Sequence, residues 1–175
     1  MGTVSEFISQ QQIAERVDAL GREIRQHAGA ETPVHLVCVL KGAFIFMADL
    51  MRAIGGTVTC DFIAASSYAG GTHTTGQVRL LKDLDRPIQG RHVVIIEDIV
   101  DTGLTLAYLQ DVLMTREPAS LRTACLLSKP SRRKVEVPVE YIGFTIEDRF
   151  VVGYGLDFDE RYRNLPFIGL VEGVD

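Results

Sequence analysis

The chain has 175 residues, of which 46% are hydrophobic and 23% charged, and its net charge is −5. That length suits a single domain spanning residues 1–175 with a substantial core, and the composition is that of an ordinary globular protein. No apolar run approaches the ~20 residues of a membrane span, and the first residues lack a secretory pattern. The negative charge argues against nonspecific nucleic-acid binding. A cytoplasmic protein without membrane or nucleic-acid partners is expected.

Ser9 and Gln12 form a capping box before Ile13, Val17, Leu20 and Ile24, the apolar face of a helix ending near Gly29. Val34 to Leu40 reads as a buried strand stopped by Lys41-Gly42. A helix follows from Ala43 to Ile54, with Phe44, Met47, Leu50 and Met51 on its apolar side. Alternation at Val58, Cys60 and Phe62 predicts another strand. The segment from Ser66 to Gly76 is polar, glycine-rich and aperiodic, as in a long functional loop, and Val78 to Leu81 can return as the second strand of a hairpin.

Val93 opens the stretch VVIIEDIVDTGLTL. Its apolar run predicts a strand buried on both faces that ends in Glu97-Asp98, followed by a helix from Thr102 to about Arg116. Asp101 or Thr102 can cap that helix. Acids suit ribose hydroxyls and metal, and free N–H groups at a helix N-terminus suit phosphate, so the turn reads as a sugar-phosphate site. Leu121 to Leu127 adds a strand, and short strands and turns follow from Val139.

The alternation of strands and helices implies an α/β protein with a parallel sheet covered on both faces. Lys41-Gly42, Glu97-Asp98 and Lys129 end three strands and should open on one edge of the sheet, where such folds bind ligands. Cys38, Cys60 and Cys125 have neither metal-ligand nor disulfide-framework spacing and read as buried spectators. Signatures for a P-loop, a dinucleotide fold, a zinc hydrolase or a serine hydrolase are absent.

The stretch VVIIEDIVDTGLTL resembles the phosphoribosyl-diphosphate (PRPP) motif of type I phosphoribosyltransferases. LKGAFIFMADL, the SSY loop, LLSKP and RFVVGYGLDFDERYR resemble, in the same order, segments of the bacterial hypoxanthine-guanine phosphoribosyltransferases. The resemblance runs from about Val34 to Arg163. It implies a central, mostly parallel sheet flanked by helices, a small hood built from the N- and C-terminal segments, and a long flexible hairpin loop. The implied reaction joins hypoxanthine or guanine to PRPP with loss of pyrophosphate, with Mg²⁺ as cofactor and a homodimer or homotetramer as the assembly. A xanthine-preferring enzyme and a nucleotide-sensing regulator that binds nucleic acid are the alternatives.

Carried onto this chain, the resemblance gives Glu97 and Asp98 the ribose hydroxyls, directly or through metal, and makes Asp101 the general base at purine N7. Asp101, Thr102, Gly103, Leu104 and Thr105 would hold the 5′-phosphate. Lys129 would donate to purine O6, Phe150 would stack on the ring, and the Val151 backbone would read the N1 and N2 edge. Asp157 is implied as a Mg²⁺ ligand beside the purine. Lys41, Gly42 and Arg163 would take pyrophosphate, and family members often carry a cis peptide before the lysine. Ser67 and Tyr68 fall in the mobile loop. Arg133 is expected to assist pyrophosphate or a neighbouring subunit, and Arg132 and Lys134 to be solvated.

Overall fold

The structure is a computed structural model describing residues 3–67 and 78–173, with the Ser67 side chain excluded. Its framework is a six-stranded sheet built from β2 (Val34–Val39), β3 (Val58–Ser67), β4 (Val78–Lys82), β5 (His92–Val100), β6 (Ser120–Ser128) and β7 (Tyr141–Thr145). The order is β4-β3-β2-β5-β6-β7, and every pairing is parallel except β3–β4. β2 and β5 are adjacent while the chain runs outward from them in opposite directions, so the topological switch lies between their carboxyl ends.

Helices cover both faces because the apolar side chains of the parallel strands alternate between two cores. One core joins Leu36, Cys38, Val94 and Ile96 to α1 (Gln10–Ala28) and α2 (Phe44–Ile54). The other joins Val37, Val39, Val93 and Ile95 to α3 (Leu104–Met114). The capping box at Ser9 is present in both directions, and Ile13, Val17, Leu20 and Ile24 are buried as their spacing requires. Gly21 lets α1 and α2 approach, since a Cβ there would lie 2.6 Å from Ala53 Cβ.

Four expectations need correction. The apolar face of α2 is Phe46, Met47, Leu50 and Ile54, while Phe44 is exposed and Met51 partly buried. The helix is hydrophobic on more than one side, so its pattern fits two rotations, and packing on α1 selects one. β5 does not stop at Glu97 but runs to Val100, with Ile99 and Val100 paired to Leu127 and Ser128 of β6. α3 starts at Leu104 with Gly103 as its N-cap in the left-handed region at φ 84°; Asp101 is not its cap, and Thr102 Oγ1 accepts from the Leu104 N–H at 3.3 Å. Cys60 is exposed, unlike Cys38 and Cys125.

The chain termini meet in a second, antiparallel sheet of order β1-β9-β8, formed by Val4–Ile8, Ile168–Val171 and Val151–Val152. The sequence reading missed β1, whose residues are largely exposed and carry no sustained alternation. β3 and β4 form the expected hairpin, with Ser67 opposite Val78. β3 extends through Ser66 and Ser67, beyond the expected start of the loop. Tyr68 lies outside the described residues. No described helix is long and apolar enough to cross a membrane.

Candidate active site

Because β2, β5 and β6 run parallel, their carboxyl ends bring Lys41-Gly42, Glu97-Asp98 and Lys129 to one edge of the sheet. The Leu40–Lys41 peptide is cis. Gly42 then packs directly on the Asp98 carboxylate: a Cβ at position 42 would lie 2.7 Å from Asp98 Cγ and overlap Oδ2. Gly155 in turn packs on the Gly42 carbonyl, tying the β8 segment to the same point.

Glu97 and Asp98 are two acids where water is scarce. Burial and the adjacent Asp98 charge push the Glu97 carboxyl well above its ordinary range. Burial also raises Asp98, opposed by the N–H of Ile99, which donates to its Oδ1 at 2.7 Å, and by the Arg163 guanidinium. Buried carboxyls that resist ionisation gain from a bound cation or from hydroxyl donors. Among the described residues, no three His, Cys, Asp or Glu side chains converge as a metal cage, so Glu97, Asp98 and Asp157 do not form a preassembled ligand set.

The β5–α3 turn encloses a cavity of about 90 Å³ lined by Glu97, Val100, Asp101, Thr102, Gly103 and Thr105. That is about three waters at ~30 Å³ each, the scale of one tetrahedral anion. No side chain caps α3 through its N-cap residue, so the first turn retains donors facing this space. Leu104 lies in that turn and is half-buried.

Arg133 is the strut beneath the turn. Its Nη1 donates to the Val100 and Asp101 carbonyls at 2.6 and 2.7 Å, and its Nη2 donates to Ser128 Oγ at 2.8 Å. Those donors are committed to the fold. Lys134 adds an N–H to the Thr102 carbonyl at 2.9 Å.

Beside the turn lies a larger cavity of about 710 Å³ whose lining includes Asp101, Lys129, Arg132, Asp148, Phe150 and Glu172. Lys129 is buried, and its Nζ lies 3.4 Å from Asp148 Oδ1. Phe150 presents an exposed face and meets Phe158 edge-on at 5.3 Å. Val151, in β8, is buried next to it. Asp101 and Lys129 therefore share one chamber with an aromatic surface. Arg132 is not simply solvated: its Nε donates to Asp101 Oδ1 at 3.0 Å, and its Nη1 lies 3.6 Å from Asp148 Oδ2. Asp148 was missed in the sequence, where nothing sets it apart from a surface acid in a turn.

On the opposite side, Lys41 Nζ donates to Glu160 Oε2 at 2.9 Å. Arg163 donates to the Gly155 carbonyl at 2.8 Å and to Glu160 Oε1 at 3.1 Å, and lies 3.2 Å from Asp157 Oδ1. These cations hold the Glu160 carboxyl below its ordinary range, Lys41 most strongly. Asp159, Glu160 and Tyr162 all adopt positive φ, so a contorted loop carries the cluster. Lys41, Asp157 and Arg163 thus come together, joined by Glu160, a residue no sequence signal distinguished.

A small cavity at a helix N-terminus, an acidic strand end beside it and a wider cavity walled by Phe150 sit at the switch point of a parallel sheet, the arrangement of a phosphoribosyl-transfer fold. The chain belongs to the phosphoribosyl transferase family, whose domain model matches residues 3–159. It is 49% identical over 174 residues to the hypoxanthine phosphoribosyltransferase of Escherichia coli (strain K12), covering 99% of this chain and 98% of that one. It is 51% identical over 173 residues to the hypoxanthine-guanine phosphoribosyltransferase of Mycobacterium avium, covering 96% and 85%. The crystal structure of a hypoxanthine-guanine phosphoribosyltransferase from Bacillus anthracis superposes with a TM-score of 0.92 at 48% identity, covering 98% of this chain and 99% of that one.

Proposed function

We propose that this chain transfers the 5-phosphoribosyl group of PRPP to N9 of hypoxanthine or guanine, releasing pyrophosphate and forming IMP or GMP in purine salvage. The observation that carries the reading is that Asp101 and Lys129 open into one cavity beside Phe150 and next to the β5–α3 cradle. A base and an ammonium there match a ring bearing an N–H and a carbonyl on one edge. In the reaction the C1′–N9 bond forms as the C1′–oxygen bond to pyrophosphate breaks, and Asp101 takes the N7 proton. Lys129 donates to O6, which favours an oxo group over the amino group of adenine. Phe150 stacks on the ring, and the Val151 backbone reads its N1 and N2 edge.

The cradle formed by Asp101, Thr102, Gly103, Leu104 and Thr105 takes the 5′-phosphate, while Glu97 and Asp98 hold the ribose hydroxyls. Lys41, Gly42 and Arg163 receive pyrophosphate, which competes with Glu160 for both cations. Mg²⁺, when bound, would offset the charge of the leaving pyrophosphate. Glu97, Asp98 and Asp157 would hold it, as hard oxygen donors suited to Mg²⁺. The small sheet β1-β9-β8 serves as the hood of one domain over residues 1–175. Ser67 and Tyr68 are assigned to a loop that shields the reacting centre. A homodimer or homotetramer and a cytoplasmic location belong to the same reading, with no nucleic-acid or membrane partner.

Pyrophosphate release from PRPP and Mg²⁺ with hypoxanthine, guanine, xanthine or adenine tests the proposal. Turnover with hypoxanthine or guanine is expected. Turnover with adenine alone would remove the role given to Lys129, and a preference for xanthine would favour the related activity.

A further inference from the structure

Asp101 and Lys129 are linked by two other side chains. Arg132 Nε donates to Asp101 Oδ1 at 3.0 Å, Arg132 Nη1 approaches Asp148 Oδ2 at 3.6 Å, and Asp148 Oδ1 lies 3.4 Å from Lys129 Nζ. All four groups line the 710 Å³ cavity. The backbone reinforces the chain of contacts. Lys129 precedes and Arg132 ends the short 3-10 turn Pro130–Arg132, closed by the Arg132 N–H on the Lys129 carbonyl at 3.1 Å, and Lys129 N–H donates to the Val100 carbonyl at 3.0 Å.

Resting on the proposed activity, we infer that Arg132 and Asp148 form a bridge that sets the spacing between Asp101 and Lys129, making both positioning residues for the purine. N7 and O6 lie on the same edge of a 6-oxopurine. The carboxylate that takes the N7 proton and the ammonium that meets O6 must therefore stand a fixed distance apart. The bridge ties one Asp101 oxygen to Arg132 and leaves the other to the cavity. It also holds the Lys129 ammonium at the wall until O6 replaces Asp148 as its partner.

Stability does not account for the arrangement. Arg132, Asp148 and Asp101 are each about half exposed, with side-chain accessibilities of 48%, 51% and 41%, and ion pairs so exposed contribute little to folding. Arginine is the residue type the geometry needs, because its planar fork reaches two carboxylates through different nitrogens, whereas lysine offers one point charge.

The test compares steady-state kinetics of the wild type, Arg132→Gln, Arg132→Lys, Asp148→Asn and the Arg132→Gln/Asp148→Asn double variant, with melting temperature monitored. For Arg132→Gln, kcat with hypoxanthine should fall ~10-fold with KM for PRPP unchanged, since small misplacement of a reacting group costs this much or more. Asp148→Asn should raise KM for hypoxanthine. The double variant should be no worse than the poorer single one, because residues of one bridge act together. Arg132→Lys should not recover the loss.

Additive losses, full rescue by Arg132→Lys, or wild-type kinetics in both single variants would overturn the bridge while leaving the transferase reading in place. So would a fall in kcat that tracks a lowered melting temperature. A wild type inactive with every 6-oxopurine would instead overturn the transferase reading, and the bridge with it.

Discussion

Gly42 and Asp98 are in direct contact across the topological switch between β2 and β5, with no room for a side chain on the glycine. The contact joins the loop assigned to pyrophosphate to the acid assigned to ribose. Closeness here serves alignment, since both ends of one substrate must be held while its C1′ migrates.

Gly42→Ala is therefore expected to push Asp98 aside and raise KM for PRPP by ~10-fold or more, on the scale of displaced binding groups. Overpacking should also lower the melting temperature. Steady-state kinetics with PRPP varied checks this, and an unchanged KM would show that the Gly42 packing does not govern substrate placement.

Asp101 no longer carries two roles. The sequence allowed one carboxylate to be both helix cap and general base, and the fold gives the N-cap to Gly103 and part of the capping to Thr102. Asp101→Asn should then leave the melting temperature nearly unchanged while lowering turnover by ~10²-fold, the usual scale for a general base. Normal turnover in this variant would remove its catalytic assignment.

Away from the site, Arg116 grips Asp83 with two hydrogen bonds of 2.7 and 2.9 Å, fastening the end of α3 to the β4–β5 turn. The guanidinium holds the Asp83 carboxyl below its ordinary range. A depressed folded value means the pair stabilises at pH values above the unfolded carboxylate pKa and loses that contribution as pH falls through the folded value. With Asp83 half exposed, its contribution is roughly 0.5 kcal/mol. Thermal melts should place Asp83→Asn about 1–2 °C below wild type at pH 7, with the gap closing below about pH 4. A gap independent of pH would exclude this ion pair as its source.

The thiols should separate cleanly. Burial, aided by the nearby Glu97 charge, pushes Cys38 and Cys125 up to about 12, whereas Cys60 is exposed. A thiol reagent at pH 8 should modify Cys60 alone in the native protein and reach Cys38 and Cys125 after unfolding. Rapid modification of all three in the native protein would contradict the packing of β2 and β6.

Periodicity made the sheet and α1 legible, because their residues answer to a single core contact each: Leu36 and Ile96 can point nowhere else, and Ser9 caps through its own local geometry. Features set by distant partners were not legible. β1 exists because β9 offers it an edge 160 residues later, and Phe46 rather than Phe44 is buried because α1 lies where it does. The site divides in the same way. Glu97, Asp98 and Lys129 stand out as polar groups ending apolar strands. Arg132, Arg133, Asp148 and Glu160 look like surface charges until folding brings Asp101, the Val100 carbonyl, Lys129 and Lys41 beside them.

Phosphoribosyl transfer to a 6-oxopurine is tested most directly by chromatographic quantitation of nucleotide and pyrophosphate from PRPP, Mg²⁺ and hypoxanthine. Equimolar IMP and pyrophosphate, with no nucleotide formed from adenine, is the predicted result. Pyrophosphate release without IMP, or no turnover with hypoxanthine or guanine, would contradict it.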